Sequence, residues 1–275
     1  MHRYKLAVGA IFKNEAHIFR EWLEHYINQG VEKFYLIDNG STDNYMSEIR
    51  EFSDKFTLFQ DSKRHAQYEH YNKYFLPVCK ESEWLIICDL DEFIYARNGH
   101  NKITEYLQKL PENVSAVMVP WKMFGSNGHK TQPKRVVRSF TLRELFKNKE
   151  CWYGNSKGIT KTSKISCFPS GKHIPEITRG DIITSDGKTI DFREKFRWSE
   201  DNLRQSSIHC NHYPLQSYEW FMKVKTTRGD VLCIENDNIR NESYFRRYDL
   251  VSNVVLDTEL KMINRKLDLK YIFLS

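Results

Sequence analysis

The stretch Glu83–Ala96 has the sequence EWLIICDLDEFIYA. It opens with a short apolar run, which is typical of a β-strand buried on both faces of a sheet. Three acids follow the run, Asp89, Asp91 and Glu92, and burying them is costly unless a partner neutralises their charge. A divalent cation such as Mg²⁺ or Mn²⁺ is one solution, because it binds carboxylates and fills its remaining positions with water and phosphate. The stretch therefore predicts a metal–phosphate site at the carboxyl end of a central strand, although an ordinary acidic turn is the competing interpretation.

Strand and helix patterns alternate along the first half of the chain. Strands are predicted for residues 5–12, 31–37, 56–59, 84–87 and 114–120, and helices for residues 16–29, 66–80 and 103–110. This order predicts an α/β fold with a mostly parallel central sheet flanked by helices. The pattern loosens after residue 120, where 136–149 fits either a strand or a helix. We expect one domain over residues 1–210 and a small helical extension over 211–275 packed on it.

Composition and motifs exclude several classes of protein. The 275 residues carry a formal net charge of +6, which suits anionic ligands but falls short of the clustered basic stripe of a nucleic-acid-binding protein. The sequence has no P-loop, no G-x-G-x-x-G and no G-x-S-x-G motif. Its six cysteines form no C-x-x-C pair, and the amino terminus has no signal-peptide pattern, so we expect a cytoplasmic protein.

Three polar loops follow predicted strands: Lys13–Glu15, Asp38–Asp43 and Asp89–Glu92. In a parallel sheet these loops gather at one edge, which predicts a shared ligand site. Asn14 and Asp38 offer hydrogen-bonding groups for a base or ribose, and the acids of the third loop offer metal ligands. The alternative for the second loop is a capped turn, in which Thr42 or Asp43 caps the next helix.

The sequence also resembles a known group of enzymes. The segment KNEAHIFREWLEHYINQGVEKFYLIDNGSTD, followed by DLDEF, is similar to the metal-dependent glycosyltransferases of the GT-A fold, in their family-2-like and family-92 groups. The loop WKMFGSNG at 121–128 fits a W-x-x-F-G pattern of that group. Residues 209–229, with Asn211-His212-Tyr213 and Arg228-Gly229, fit its N-H-Y…R-G pattern. Residues 131–205 match nothing recognisable.

The resemblance implies a hexosyltransferase that moves a sugar from a nucleotide-diphosphate sugar, UDP-linked, to a glycan or glycolipid hydroxyl, as in polysaccharide biosynthesis. It implies Mn²⁺ or Mg²⁺ as cofactor and an inverting displacement. Its D-x-D motif would be Asp89 and Asp91, with His212 as a further metal ligand or else an ordinary core histidine. The implied nucleotide-binding residues are Asn14, Glu15, Asp38, Asp43, Asp89 and Lys157. The acceptor sugar would contact Trp121, Phe124 and Trp152, unless these are core residues. The general base would be Glu176 or Asp181.

Two other functions stay open at this point. A nucleotidyltransferase would need a Gly-rich basic loop after the first strand, where only Lys13 is basic. A non-catalytic nucleotide-sugar-binding protein would not need the intact acid pair. The basic residues of the last helix, beginning with Lys261 and Arg265, allow a peripheral contact with the inner face of a membrane, although packing on the sheet or on a second subunit is the simpler expectation.

Overall fold

The computed structural model describes residues 2–147, 149–151, 155–170, 174–191, 196–229 and 234–272, and of residues 149–151, 196 and 266–272 only the backbone. The strands are β1 Tyr4–Phe12, β2 Lys33–Asp38, β3 Phe56–Gln60, β4 Ser82–Ile87, β5 Glu92–Ala96, β6 Val114–Met123, β7 Leu142–Arg143, β8 Lys149–Cys151, β9 Ser156–Lys161, β10 Ile165–Cys167, β11 Glu176–Ile177, β12 Asp181–Thr184, β13 Thr189–Ile190, β14 Phe196–Trp198, β15 Ile208–His212 and β16 Val255–Leu256. The helices are α1 Ala16–Asn28, α2 Tyr45–Ile49, α3 Gln67–His70, α4 Leu76–Val78, α5 Ile103–Leu107, α6 Val136–Ser139, α7 Glu200–Gln205, α8 Tyr218–Lys223, α9 Glu242–Ser252 and α10 Glu259–Ile272.

The helix predicted for residues 66–80 forms in pieces. A π-helical segment, Tyr71–Phe75, joins α3 to α4, and a 3₁₀ turn, Cys79–Glu81, leads into β4. Pro77 lies within α4 and has no amide hydrogen to donate, so a regular helix cannot continue through it unchanged. The ambiguous segment after residue 135 contains both a helix, α6, and a strand, β7.

The main sheet confirms the predicted mostly parallel α/β architecture. Its strand order is β13-β12-β6-β9-β4-β1-β2-β3, and β4, β1, β2 and β3 run parallel to one another. Strand β9 lies antiparallel between β4 and β6. Strand β15 extends the sheet by pairing parallel with β6 and antiparallel with β5. The late segment of the chain thus returns to the carboxyl end of β4.

Apolar side chains cover both faces of the sheet. In β1, Leu6, Val8 and Ala10 point into the main core, where α1 packs, whereas Ala7 points into a second core on the other face. This double burial explains why the central strands are continuous apolar runs rather than alternating ones. Gly9 allows the second core to pack closely, because a Cβ there would lie 2.7 Å from Ile87 Cδ1 and 2.9 Å from the Phe75 ring.

The carboxyl-terminal part packs on the first part through buried contacts. Leu260 of α10 is buried in the main core, and Ile263 packs against it. The boundary predicted at residue 210 falls within β15, so the division into two domains stays a prediction. Among the described helices none is both long and apolar enough to cross a bilayer. Membrane contact by the basic last helix also stays a prediction.

Candidate functional site

The acidic stretch forms a turn between two strands. Strand β4 ends at Ile87 and β5 begins at Glu92, so Asp89 and Asp91 lie in the connection. Helix α1 fixes this turn through two side-chain hydrogen bonds. Trp22 Nε1 donates to Asp89 O at 3.1 Å, and Tyr26 Oη donates to Glu92 O at 3.1 Å. The turn is closed by the Asp89 amide, which donates to Glu92 Oε2 at 2.9 Å. The apolar periodicity of α1 therefore also positions the acids.

Two lysines, the buried Lys157 and the partly buried Lys225, neutralise part of the acidic charge. Lys157 Nζ of β9 lies 3.2 Å from Asp89 Oδ2 and 3.0 Å from Glu92 Oε2. Lys225 Nζ, just after α8, lies 2.6 Å from Asp91 Oδ2. Burial alone would lower the pKa of Lys157, but the charges of Asp89 and Glu92 hold it well above its usual value. The sequence analysis named a divalent cation as one solution for this charge, and in the structure lysine side chains take part of that role.

The pKa values of the two most buried acids move in opposite directions. Burial would raise the pKa of Asp91, but the charges of Lys225 and His212 hold it well below its usual value. Burial raises the pKa of Glu92 to about 7, against the opposing effect of Lys157. Asp91 is therefore a permanent anion at neutral pH, and a nearby cation would also favour the ionised form of Glu92.

Asp91, Glu92 and His212 form a group that fits a divalent cation. One ligand atom from each lies within 4.8 Å of the others. His212 Nε2 is 3.5 Å from Asp91 Oδ1 and 3.9 Å from Glu92 Oε1, and within the part of the chain that the structure describes neither of these buried oxygens has a hydrogen-bond partner. An orphaned carboxylate oxygen in a buried site is costly unless a ligand satisfies it. Two carboxylates with an imidazole suit Mn²⁺ better than Mg²⁺, which prefers oxygen ligands.

The metal ligands named from the sequence stay a prediction, and they coincide only in part with this group. Asp91 and His212 belong to it, and Glu92 takes the third place, whereas Asp89 points to Lys157 and is more exposed than Asp91. Glu92 was named with the acidic stretch but not as a ligand, because the resemblance rests on the D-x-D spacing. The sequence signal for Glu92 as a metal ligand was its position one residue after Asp91.

A cavity of about 710 Å³ opens beside this group, at the carboxyl ends of β1, β2 and β4. The cavity wall has one side towards β1, β2 and β3 and another side towards β6. Asp89, Asp91 and His212 lie between the two sides. The side towards β1–β3 is basic and polar, and it includes Lys13, Asn39, Lys63, Arg64 and Gln67. The side towards β6 includes Trp121, Met123, Glu144, Tyr244 and Tyr248. The predicted convergence of strand-end loops at one edge is what the structure shows.

Of the two predicted nucleotide residues of the first loop, Glu15 lies at the wall of this cavity and Asn14 does not. Glu15 lines the cavity and pairs with Arg228, with Nη1 to Oε1 at 3.0 Å. Burial raises the pKa of Glu15, with Arg228 acting in the other direction. Asn14 has φ of 52° and braces the loops, since its Oδ1 accepts from the Thr42 amide at 2.7 Å. Its carbonyl accepts from Arg228 Nη2 at 3.1 Å, so Arg228 joins this loop to the later chain.

Asp38 and Asp43 hold the second loop in place. Asp38 accepts from Tyr45 Oη at 3.0 Å and from the Ser41 amide at 2.8 Å. Asp43 Oδ2 accepts from the Ala16 amide at 2.8 Å, at the start of α1. The cap expected from Thr42 or Asp43 is not formed on α2, whose N-cap is Asn44 without a side-chain bond. Both acids lie next to the site, and their contact with a nucleotide stays a prediction.

The predicted acceptor residues have different environments. Trp121 lines the cavity, with its ring 4.5 Å from the His212 ring and Lys157 over its face. Phe124 is a core residue, buried to 1% exposure and packed on Tyr213 at 4.7 Å. Trp152 lies outside the described residues.

The two residues predicted as general base lie away from the cavity wall. Asp181 begins β12 and pairs in register with Val114, at the start of the parallel strand β6, so it is at the opposite edge of the sheet. Its carboxylate accepts from Asn113 Nδ2 at 2.6 Å. Glu176 belongs to the small β10–β11 sheet and does not line the cavity either. Either role as base stays a prediction without support from the geometry.

Several cavity residues were missed by sequence reasoning. Lys225, Arg240 and Tyr244 all come from residues after 213, where no strand pattern indicates which side chains return to the sheet. The helical pattern of α9 was a signal for Tyr244 and Tyr248, which are four residues apart and therefore share a face. Glu144 follows a two-residue strand that has no recognisable pattern.

Solved structures that resemble this chain are distant. S. aureus TarS aligns with a TM-score of 0.38 and 17% identity over 58% of this chain and 47% of that one. Glucosyl-3-phosphoglycerate synthase from Mycobacterium tuberculosis, in complex with Mn²⁺, UDP and phosphoglyceric acid, aligns with a TM-score of 0.30 and 12% identity over 59% of this chain and 57% of that one. At such TM-scores no residue role is transferred.

Curated relatives are plant proteins of a single family. A glycosyltransferase family 92 protein of Ricinus communis is 23% identical over 247 residues, 86% of this chain and 40% of its own length. One from Oryza sativa subsp. japonica is 23% identical over 149 residues, 51% of this chain and 25% of its own length. The chain thus spans well under half of these relatives. The sequence profile of glycosyltransferase family 92 matches residues 2–196, well over half of the chain, which therefore belongs to that family.

Proposed function

We propose that this chain transfers a sugar from a nucleotide-diphosphate sugar, UDP-linked, to a hydroxyl group of a glycan or glycolipid, with a divalent cation and with inversion at the anomeric carbon. The observation that carries the proposal is the buried group Asp91, Glu92 and His212 in the wall of a cavity with basic side chains. Anionic side chains that can bind a metal ion lie beside cationic side chains that can bind phosphate, and a metal-bound diphosphate needs both. Family membership supports the class of reaction.

The donor nucleotide is assigned to the side of the cavity formed by the ends of β1, β2 and β3. Ligands of open α/β sheets bind beyond the carboxyl ends of the strands. Asn39, which directly follows β2, lines the cavity there with its Nδ2 bonded to Asp61 O and Lys63 O, and Lys13, Lys63 and Arg64 supply positive charge for phosphate. Asp38 and Asn14 would then shape the base and ribose pocket through the loops they brace.

The diphosphate is assigned to the centre of the cavity. Asp91, Glu92 and His212 would hold Mn²⁺ or Mg²⁺, which when bound neutralises the departing diphosphate as a Lewis acid. Lys225 and Arg228 line the same region and present positive charge from the later part of the chain. Lys157 orients Asp89 and Glu92 rather than facing solvent, since its side chain is 3% exposed. This arrangement stabilises a leaving group that gains negative charge.

The test is a ligand-dependent shift in thermal unfolding followed by a donor screen. At a UDP concentration of 100 times Kd in the presence of Mn²⁺, linkage predicts about 2.7 kcal/mol of stabilisation. For a chain of this size that corresponds to an increase in Tm of roughly 5–10 °C. UDP-sugars that raise Tm are then assayed for Mn²⁺-dependent release of UDP.

The competing functions give different results in the same assays. A non-catalytic binding protein would show the shift in Tm but no release of UDP from any sugar donor. A nucleotidyltransferase would release pyrophosphate from a nucleoside triphosphate and a sugar phosphate. Absence of both the shift and the release would contradict the proposed function.

A further inference from the structure

We propose that the cavity face of helix α9 is the binding wall for a pyranoside acceptor and that Glu144 is the base that accepts the acceptor proton. The inference rests on the proposed glycosyl transfer and names the acceptor half of that site. It starts from the four α9 residues that line the cavity, Tyr244, Tyr248, Val251 and Ser252. Their spacing of four, three and one places them on one face of the helix.

The two tyrosines form a continuous aromatic surface. Their ring centroids are 4.3 Å apart, and Tyr244 stacks on Phe221 at 6.0 Å with rings 15° from parallel. Both rings are half-buried, and among the described residues neither hydroxyl has a hydrogen-bond partner. Aromatic rings with free hydroxyl groups in a cavity suit a sugar ring, whose C–H face packs on the rings while its hydroxyls bond at the rim. Phe245 of α9 packs with Leu215, Trp220 and Phe221 in an apolar cluster, and the two tyrosine rings lie against the edge of that cluster where it meets the cavity.

The wall is fixed in position by the loop after β6. Asp249 accepts from the Ser126 amide at 2.6 Å, Asn253 Oδ1 accepts from the Asn127 amide at 2.9 Å, and the Gly125 amide donates to Ser252 O at 3.0 Å. A Cβ at Gly125 would lie 2.4 Å from Asn253 Oδ1, so the close approach requires glycine. Residues 125–127 belong to the W-x-x-F-G loop of the sequence, which therefore positions α9 beside the metal-ligand group.

Glu144 lies between this wall and the metal-ligand group. Its amide donates to Met123 O at 2.9 Å, and Met123 is the register partner of His212 across β6 and β15. The other carboxylates that line the cavity lie in the loops that follow β1 and β4, at Glu15, Asp89 and Asp91. Glu144 is thus the acid on the β6 side of the cavity among the described residues.

The reaction follows from this placement. The acceptor oxygen forms a bond to the anomeric carbon of the donor while the bond from that carbon to the diphosphate oxygen breaks. The nucleoside diphosphate leaves with the electron pair, and the proton of the acceptor hydroxyl moves to the Glu144 carboxylate, from which it passes to solvent. A base must lie within hydrogen-bond reach of that hydroxyl.

The test separates acceptor binding, proton transfer and donor binding. The probes are methyl glycosides of glucose, galactose, mannose and N-acetylglucosamine, used with the UDP-sugar that the donor screen selects, and UDP release is measured with and without each glycoside. Tyr244→Ala and Tyr248→Ala are expected to raise the KM for the accepted glycoside about tenfold or more, while the Kd for UDP in the presence of Mn²⁺ stays within about twofold. The corresponding Phe variants keep the ring and stay near wild type. Arg246→Ala, on the exposed face of the same helix, is the matched control.

Glu144→Gln is expected to lower kcat for transfer about 100-fold or more, with little change in the KM for the glycoside. Glu83→Gln, an exposed acid of β4, is the matched control for this change. Wild-type kcat in Glu144→Gln, or loss of UDP binding in the tyrosine variants, would overturn the inference. Failure of the wild-type protein to bind UDP with Mn²⁺ refutes the proposed function itself, whereas intact donor binding with unaltered acceptor kinetics in all variants refutes only the acceptor wall and base.

Discussion

Asp89 and Asp91 are separated by one residue but differ in what they contact. Asp91 shares a buried group with Glu92 and His212 and has an orphaned oxygen, whereas Asp89 is one-third exposed and pairs with Lys157. We therefore predict that Asp91→Asn lowers the affinity for Mn²⁺ about 100-fold or more, because it removes a negatively charged ligand. Asp89→Asn should change this affinity by less than about tenfold and weaken the binding of UDP in the presence of Mn²⁺ instead. Electron paramagnetic resonance of free Mn²⁺ measures the first effect without any turnover.

Glu92→Gln and His212→Ala belong to the same experiment. Both should weaken Mn²⁺ binding, since each removes one atom of the group. An equal loss in the Asp89 and Asp91 variants, with Glu92→Gln unaffected, would instead support a metal held by the D-x-D pair alone.

Arg228 connects the first strand-end loop to the later chain, and it faces both Glu15 and the cavity. We predict that Arg228→Ala weakens UDP binding about 10- to 100-fold, as expected for a cation that contacts phosphate. The variant Glu15→Gln, combined with Arg228→Ala in a double variant, tests whether Arg228 contacts phosphate or only pairs with Glu15. If Arg228 only neutralised Glu15, the double variant would bind UDP as tightly as wild type, whereas a phosphate contact leaves it as weak as Arg228→Ala. Isothermal titration with UDP and Mn²⁺ distinguishes the two.

The residues of the site differ in how far a sequence reveals them. The acids and the loops after β1 and β2 were predictable, because they follow apolar runs whose parallel pairing brings strand ends together. His212 and Arg228 were found through the resemblance. Lys225 and Tyr244 were not, because their roles depend on how a segment without strand periodicity packs across the sheet. The lysine pairs satisfy the premise that a buried acid needs a neutralising partner, but the sequence did not indicate that side chains would supply part of it.

At the scale of elements, a buried ion pair fixes the carboxyl-terminal segment to strand β6. Lys122 is fully buried, and its Nζ lies 3.0 Å from Asp257 Oδ2, which also accepts from Arg143 Nε at 2.8 Å. We predict that Asp257→Asn lowers the free energy of unfolding by about 3–5 kcal/mol, because it leaves a buried ammonium group unpaired. Asp54→Asn, which removes an exposed pair with Lys55, is the matched control and should cost about 0–1 kcal/mol. Urea denaturation measures both.

The same carboxylate predicts a dependence of stability on pH. Burial would raise the pKa of Asp257, but Lys122 and Arg143 lower it to about 2 in the folded protein, below the value of about 3.9 in the unfolded chain. A depressed pKa contributes stability above the unfolded value and loses it as the pH falls towards the folded one. The difference in unfolding free energy between wild type and Asp257→Asn should therefore be constant near neutral pH and shrink between about pH 4 and pH 2. A difference that grows on acidification would contradict this assignment.

At the scale of the whole molecule, the alternating order of strands and helices was sufficient for the mostly parallel sheet. It could not reveal that β9 enters antiparallel between β4 and β6, or that β15 returns to pair with β5 and β6. Such pairings join residues between 36 positions apart, as for Pro120 and Ser156, and 120 positions apart, as for Glu92 and His212, and no local pattern encodes them. The two late strands nevertheless matter for the site, because β9 supplies Lys157 and β15 supplies His212.

The way the site is assembled predicts that the protein unfolds as one unit. Residues after 210 supply His212, Lys225 and α9 to the cavity and Asp257 to a buried ion pair, and β15 is hydrogen-bonded within the sheet. Separating this segment from the rest would expose Lys122 without its partner and remove a strand from between β5 and β6, so partial unfolding is costly. We predict a single calorimetric transition whose van't Hoff and calorimetric enthalpies agree, and the same midpoint from tryptophan fluorescence and far-ultraviolet circular dichroism. A chain ending at residue 210 should neither show this transition nor bind Mn²⁺ with wild-type affinity, since it lacks His212. Two resolved transitions in the full chain, or a stable 1–210 fragment, would show instead that the segment after 210 is a separate extension.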